Sequence, residues 1–334
     1  MRRLEVAGYG RLPGSVRFAE VPIPAIGDDD VLIKVRAAAL NPIDYKVAQG
    51  ELRRVLSLDL PAPFGFDCSG RIEAAGSGVT GFAAGDRVYL RAPRERMGSF
   101  AEYLAVDAKY VARAPRRLSA VEAASIPLVA LTTVQALVDR AQAVPGQRVL
   151  IHAGSGGLGS FAVQYAKAVL GLHVTTTTSS RNAAWVGELG ADIVIAYDQQ
   201  DYRASSARYD VVFDTIGGRT TADSFAVLKR GGTVVSVAGP PDWSFARQVG
   251  ARLPLAAVMW VLGLPLELRA RLNRGHYYRF LTESSGAQLE QVARVLDAGK
   301  LRPVIDRVYP FGQAIEALQY LATGRARGKV ILEM

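Results

Sequence analysis

The chain has 334 residues, 40 Lys and Arg against 31 Asp and Glu, a formal charge of +9 and 49% hydrophobic residues. That length exceeds one small core and fits two domains. The single cysteine, Cys68, excludes an intramolecular disulfide and suits a reducing compartment, with the cytoplasm as the expectation. The arginines are scattered without interleaved aromatics, so the excess charge reads as solvated surface and no specific nucleic-acid partner is expected.

Met1-Arg-Arg-Leu4 is followed by Glu5, Gly8 and Gly10 and carries no apolar run of signal length. Up to about residue 121, short strand-like runs alternate with Gly, Pro and Asp: Val31–Val35, Gly70–Ala74, Asp86–Leu90 and Phe100–Leu104. From about 122, strands near 148–153, 173–178, 192–196, 209–214 and 232–238 alternate with helices, the pattern of a doubly wound parallel sheet. The apolar run Ala251–Leu268 is broken by Pro254, Gly263 and Pro265 and falls short of the roughly 20 uninterrupted apolar residues of a membrane span. A lid or an interface helix is favoured for it; the flanking Arg252, Arg269 and Arg271 leave a membrane-surface segment open. Beyond 283, helix (Gln288–Leu296), strand (Val304–Tyr309), helix (Gln313–Leu321) and strand (Gly328–Leu332) return the chain to the first domain. The expected organisation is therefore a β-rich domain from 1–121 and 283–334, and a nucleotide-binding domain from 122–282.

The most informative segment is Arg148-Val-Leu-Ile-His-Ala-Gly-Ser-Gly-Gly-Leu-Gly159, which reads as strand, glycine turn and helix start. Gly154, Gly156 and Gly159 form G-x-G-x-x-G. The first glycine is expected to permit a tight turn, the second to let backbone reach a pyrophosphate, and the third to let helix pack on strand. The span Gly154, Ser155, Gly156, Gly157, Leu158 and Gly159 is thus the expected phosphate-binding segment, with the phosphates on the helix N-terminus.

The second strand bears on which dinucleotide binds. Its end, about 20 residues past the glycines, lacks the Asp or Glu that would hold a free ribose diol. Ser179, Ser180 and Arg181 stand there, with hydroxyls and a guanidinium suited to a dianionic 2′-phosphate, and NADPH is the favoured cofactor. A helix cap at Ser179 beside a solvated Arg181 is the alternative.

Asn41-Pro-Ile-Asp-Tyr-Lys46, Gly65-Phe-Asp-Cys-Ser-Gly70, Gly98-Ser-Phe-Ala-Glu-Tyr103, Leu189-Gly-Ala-Asp192, Asp214-Thr-Ile-Gly217 and Gly324-Arg-Ala-Arg-Gly-Lys329 add a family pattern. In their order and spacing the chain resembles the zinc-independent quinone oxidoreductase and alkenal reductase group of the medium-chain dehydrogenase/reductase superfamily, over essentially its full length. The resemblance implies an α/β protein, with a GroES-like β-barrel catalytic domain, a Rossmann domain and a cleft between them. It also implies hydride transfer from NADPH to a quinone or an α,β-unsaturated carbonyl as the small-molecule substrate, by a homodimer.

Asn41 and Asp67 stand where zinc-dependent relatives would have Cys and Gly-His-Glu, and His152, His173 and His276 are the only histidines, so no metal is expected. By position, Asn41 is a candidate donor to a substrate carbonyl or the cofactor carboxamide, with a turn residue before Pro42 as the alternative. Tyr45 and Lys46 are candidates to supply a proton or hold the enolate oxygen, with a core aromatic and a surface amine as the alternative. Thr132 and Gly239 match positions beside the nicotinamide, and Tyr197 one near the adenosine phosphate. Lys329 is placed to reach a cofactor phosphate or else sits exposed on a strand edge. Two rival functions stay open, an enoyl-thioester reductase on the same fold and a non-catalytic NADPH sensor with a basic surface.

Overall fold

The computed structural model describes residues 1–334. The chain divides into two compact units, residues 1–131 with 283–334, and residues 132–282. The first boundary falls between Leu131 and Thr132, later than the change of pattern at 121. The Ala120–Ala124 helix packs on strands Asp30–Leu40, Asp67–Ala75 and Lys329–Glu333, which ties it to the β-rich unit.

The first unit is organised by the strand Asp30–Leu40, whose 11 residues are longer than any one partner. Asp67–Ala75 runs antiparallel along one side. The other side is shared, with Tyr103–Asp107 pairing with 30–34 and Lys329–Glu333 with 37–40. Register shifts at Leu32/Ile33 and Val35/Ala37 let one strand serve partners that diverge. Beyond Lys329–Glu333 lies Ile305–Pro310, parallel to it, so the C-terminal strand is interior to the sheet. A smaller sheet of Val16–Glu20, Arg2–Val6 and Ala62–Pro63 covers one end. Leu4, Ile33, Phe64, Phe100, Leu318 and Leu332 belong to the common core.

The second unit is one six-stranded sheet with every neighbouring pair parallel. Its spatial order is Ile193–Ala196, His173–Thr178, Arg148–Ile151, Tyr209–Asp214, Leu228–Ser236 and His276–Arg279. The chain enters at the centre, builds to one edge, returns, and builds to the other, leaving a switch point between Arg148–Ile151 and Tyr209–Asp214. Val149, Leu150 and Ile151 are fully buried, as a central strand covered on both faces requires. The sixth strand, His276–Arg279, is polar and aromatic with no alternating pattern, and it adds an edge beyond the five strands expected from the sequence. The run from 251 is not broken: Leu253–Leu272 is one helix of 20 residues. Pro254 sits in its first turn, where no amide is needed, and Pro265 costs one internal hydrogen bond.

Phe213 is fully buried in the central strand beside Ile151 and Val235. Phe213→Ala is expected to lower the unfolding free energy by about 3–5 kcal/mol, read from urea denaturation followed by circular dichroism.

Candidate active site

The glycine turn connects Arg148–Ile151 to the helix Gly157–Ala168. Each glycine has its own physical reason. A Cβ on Gly154 would stand 2.3 Å from Thr176 Oγ1, and one on Gly159 would stand 2.1 Å from the Ala153 carbonyl oxygen, so both are required by the protein's own packing. The left-handed residue of the turn is Ala153, at φ +55, so the tight turn expected of Gly154 is made one residue earlier. Gly156 differs. A Cβ there would meet only Ala153 O, at 3.4 Å, so its outer side is clear. Gly156 caps the helix with no side-chain partner, and the first helical bond is Ser160 N–H to Gly156 O at 2.9 Å. The amides of Gly157, Leu158 and Gly159 thus lack a helical acceptor. An open backbone face beside such amides fits a pyrophosphate.

At the carboxyl ends of the neighbouring strands, Asp214 fixes two loops at once. Its Oδ1 accepts from the Ile216 and Gly217 amides, each at 3.0 Å, and its Oδ2 accepts from Thr221 Oγ1 at 2.5 Å and Ser236 Oγ at 2.8 Å. Ser236 Oγ in turn accepts from the Gly239 amide at 2.7 Å. A Cβ on Gly239 would lie 2.5 Å from Tyr277 Oη and 2.9 Å from Ser236 Oγ, so this glycine is demanded by the loop itself. Arg279, from the sixth strand, donates from Nε to Gly239 O at 3.1 Å, and its guanidinium lies 4.6 Å from the Phe245 ring centroid. Burial draws its pKa down to about 10. Thr132 Oγ1 and Thr282 Oγ1 share a hydrogen bond of 2.7 Å at the ends of this unit.

The end of the second strand differs from its sequence reading. Ser179 makes no cap and accepts from Asn182 Nδ2 at 3.1 Å. Ser180 donates from its amide (2.9 Å) and its hydroxyl (2.7 Å) to the carboxylate of Asp198. Those hydrogen bonds hold the Asp198 pKa below the usual range. Arg181 is exposed, and Tyr197, next to Asp198, is 62% exposed. An acidic residue therefore stands at the place where the second strand lacks one. It comes from the next strand, whose register pairs Thr178 with Ala196 and so sets Ser180 beside Asp198.

In the first unit, the residues expected at a substrate site form a buried polar cluster. Lys329, 5% exposed, donates from Nζ to Leu40 O at 3.1 Å and to Asn41 Oδ1, and lies 3.5 Å from Asp67 Oδ2. Buried in a sheet interior with its donors on Leu40, Asn41 and Asp67, it is not an exposed edge lysine. Asn41 Nδ2 donates to Asp67 Oδ2 at 3.0 Å and to Ala39 O at 3.3 Å, so both amide protons are used and none is left for a substrate carbonyl. It also ends the turn before Pro42, its amide donating to Asp44 Oδ2 at 2.6 Å. Asp67 Oδ1 accepts from the Leu128 amide at 3.1 Å. Arg91, one of the arginines that the sequence reads as solvated surface, instead completes the cluster: it lies 4.7 Å over the Phe66 ring and donates to Ser284 Oγ at 2.8 Å. Burial raises the Asp44 and Asp67 carboxyls and lowers the Lys329 ammonium, while each opposite charge resists that shift. Tyr45 and Lys46 lie half-buried on the Pro42–Ala48 helix, and burial raises the Tyr45 phenol.

Residues 27–116 match the alcohol dehydrogenase GroES-like domain, and 189–332 the zinc-binding dehydrogenase family. A 2-methylene-furan-3-one reductase of Solanum lycopersicum is 34% identical over 99% of this chain and 79% of its own length. An NADPH-dependent alkenal/one oxidoreductase of Arabidopsis thaliana is also 34% identical, with the same coverage of both chains. The chain belongs to the quinone and alkenal oxidoreductase group of the medium-chain dehydrogenase/reductase superfamily. Among solved structures, the quinone oxidoreductase from Coxiella burnetii superposes with a TM-score of 0.86 at 31% identity, covering 100% of this chain and 99% of that one. The two units are therefore the GroES-like and Rossmann domains of this superfamily.

Two substitutions separate the roles of the glycines. Gly159→Ala is expected to lower the unfolding free energy by several kcal/mol, whereas Gly156→Ala, at the helix N-cap, should cost no more than about 1 kcal/mol and weaken dinucleotide binding, as read by urea denaturation and calorimetric titration. His152, beneath the turn, gives a pH signature: burial pushes its imidazole down to about 4, against the pull of Asp214. The folded state therefore resists protonation. The contribution is whole above pH 6.5, and stability falls as pH drops from there toward 4, by up to about 1.4 kcal/mol per unit. Urea unfolding at pH 7 and pH 5 should show a smaller loss in His152→Asn than in the parent.

Proposed function

We propose that this protein is a zinc-independent, NADPH-dependent reductase that delivers hydride to a quinone or an α,β-unsaturated carbonyl, acting as a homodimer. Residence in the cytoplasm is part of the reading and fits the single buried thiol, Cys68. One observation carries the zinc-free assignment: a buried ammonium, Lys329, sits between Asn41 and Asp67, where zinc-dependent members would place metal ligands. A cation held there by Asp67 leaves no donor set for zinc, and no group of three or more His, Cys, Asp or Glu is positioned to hold one.

Reduced nicotinamide, when bound, supplies the hydride. The protein's part is to bind, orient and hold charge. The Gly157, Leu158 and Gly159 amides and the helix N-terminus hold the pyrophosphate. Ser180 and Arg181 flank the adenosine ribose, with Tyr197 alongside. Thr132 and Gly239 border the nicotinamide end, and the Asp214–Ser236 hydrogen bonds keep Gly239 in place. Tyr45 and Lys46 are the proposed donors to the substrate oxygen that becomes negative. The raised phenol of Tyr45 stays protonated at neutral pH, as a donor must. Asn41 acts through Asp67 and Lys329 as a positioning residue.

A second cofactor reading is favoured by Asp198. Its carboxylate occupies both Ser180 donors and would repel a 2′-phosphate, whereas a free ribose diol would satisfy it. Initial rates with NADPH and NADH on a panel of quinones, enals and enoyl thioesters test the whole assignment. Turnover with NADPH that survives a chelator is expected. Arg181→Ala should raise the KM for NADPH about tenfold and leave that for NADH unchanged. Asp198→Asn should lower the KM for NADPH. Faster turnover with NADH in the parent would give the ribose to Asp198.

A further inference from the structure

The Leu253–Leu272 helix has two faces of the same period. Ala256, Met259, Gly263, Leu266 and Ala270 are buried at spacings of three and four residues. They seat the helix on its own unit, where a Cβ on Gly263 would stand 2.6 Å from Pro241 O. The outer face is as apolar as the inner: Leu253 is 78% exposed, Val258 52%, Val261 58%, Leu262 55%, Leu268 48% and Leu272 85%. Trp260 at 43% and Trp243 at 42% lie beside it. A contiguous apolar face of this length on a folded surface marks an interaction site.

The charges around it decide what it meets. Arg247, Arg252, Arg269, Arg271 and Arg274 are all exposed, and between residues 243 and 275 the only carboxylate is the half-buried Glu267. We propose that this helix lies flat on an anionic lipid surface, with the apolar stripe in the acyl boundary and the arginines among the headgroups. Exposed tryptophans prefer that boundary, and each basic residue near an anionic leaflet adds attraction. The helix is long and apolar enough to cross a membrane, with a mean hydropathy of 1.4, but its seated face commits it to the fold. Pro265 also leaves the Val261 carbonyl without a helical partner, which headgroups and water can satisfy and hydrocarbon cannot. A second copy of the chain fits less well. Antiparallel pairing of two such stripes would bring Arg252 of one toward Arg269 and Arg271 of the other, with no acid to offset them.

The test uses the full chain and vesicles of phosphatidylcholine with and without phosphatidylglycerol. Co-sedimentation with the anionic vesicles alone, a blue shift of tryptophan emission and release by salt are expected. Arg269→Gln and Arg271→Gln should each weaken binding about fivefold. Val261→Glu should abolish it while leaving the melting curve and NADPH titration unchanged, since Val261 is exposed. Absence of binding to anionic vesicles, or equal binding by Val261→Glu, overturns the proposal. Absence of binding together with a dimer that Val261→Glu splits would assign the face to a second copy.

Discussion

The close approach of Gly159 to the Ala153 carbonyl is the constraint on which the nucleotide-binding unit depends. A Cβ at that point would sit 2.1 Å from the oxygen. Only glycine lets the helix begin so near the end of the central strand, and that placement puts the Gly157–Gly159 amides and the open side of Gly156 together at the carboxyl edge of the sheet. The left-handed Ala153 and the contact of Gly154 with Thr176 serve the same turn. Packing thus dictates two of the three glycines, and the remaining one is free for a ligand.

The GroES-like unit rests on a different kind of constraint, charge taken out of water. Asp44, Asp67, Arg91 and Lys329 are buried together, and such a cluster is sustained only if each member keeps its partners. Lys329 brings the last strand of the chain against Leu40 and Asn41, so the cluster also fixes where the C-terminus enters the sheet. Asn41 spends its amide on this network. It also starts the Pro42–Ala48 helix, which carries Tyr45 and Lys46, and so ties that helix to the buried cluster.

The alternation of strands and helices after 122 was legible because central parallel strands are continuous apolar runs and the glycine turn is local in sequence. The last strand, Lys329–Glu333, was legible because its apolar run Val330–Leu332 is fully buried, and Ile305–Pro310 was placed within a few residues from the helix and strand around it. The short strand His276–Arg279 was not, because four polar and aromatic residues carry no period. Asp198 was missed because its partnership with Ser180 depends on parallel register between two strands rather than on spacing from the glycines. Arg91 was read as one of many arginines, although Leu90 and Ala92 on either side already placed it in a buried strand. The burial of Lys329 was hidden for a related reason: a terminal strand looks like an edge until Ile305–Pro310 is seen to cover it.

The central claim is that hydride passes from a dinucleotide held by the glycine turn to a conjugated acceptor without zinc. Chelator-treated protein, given NADPH deuterated at the transferring position of the nicotinamide and a simple enone, tests it most directly. The account predicts a saturated ketone with the deuterium on the carbon β to the carbonyl. Product without the label, or turnover that is lost with the chelator and restored by added zinc, would contradict it.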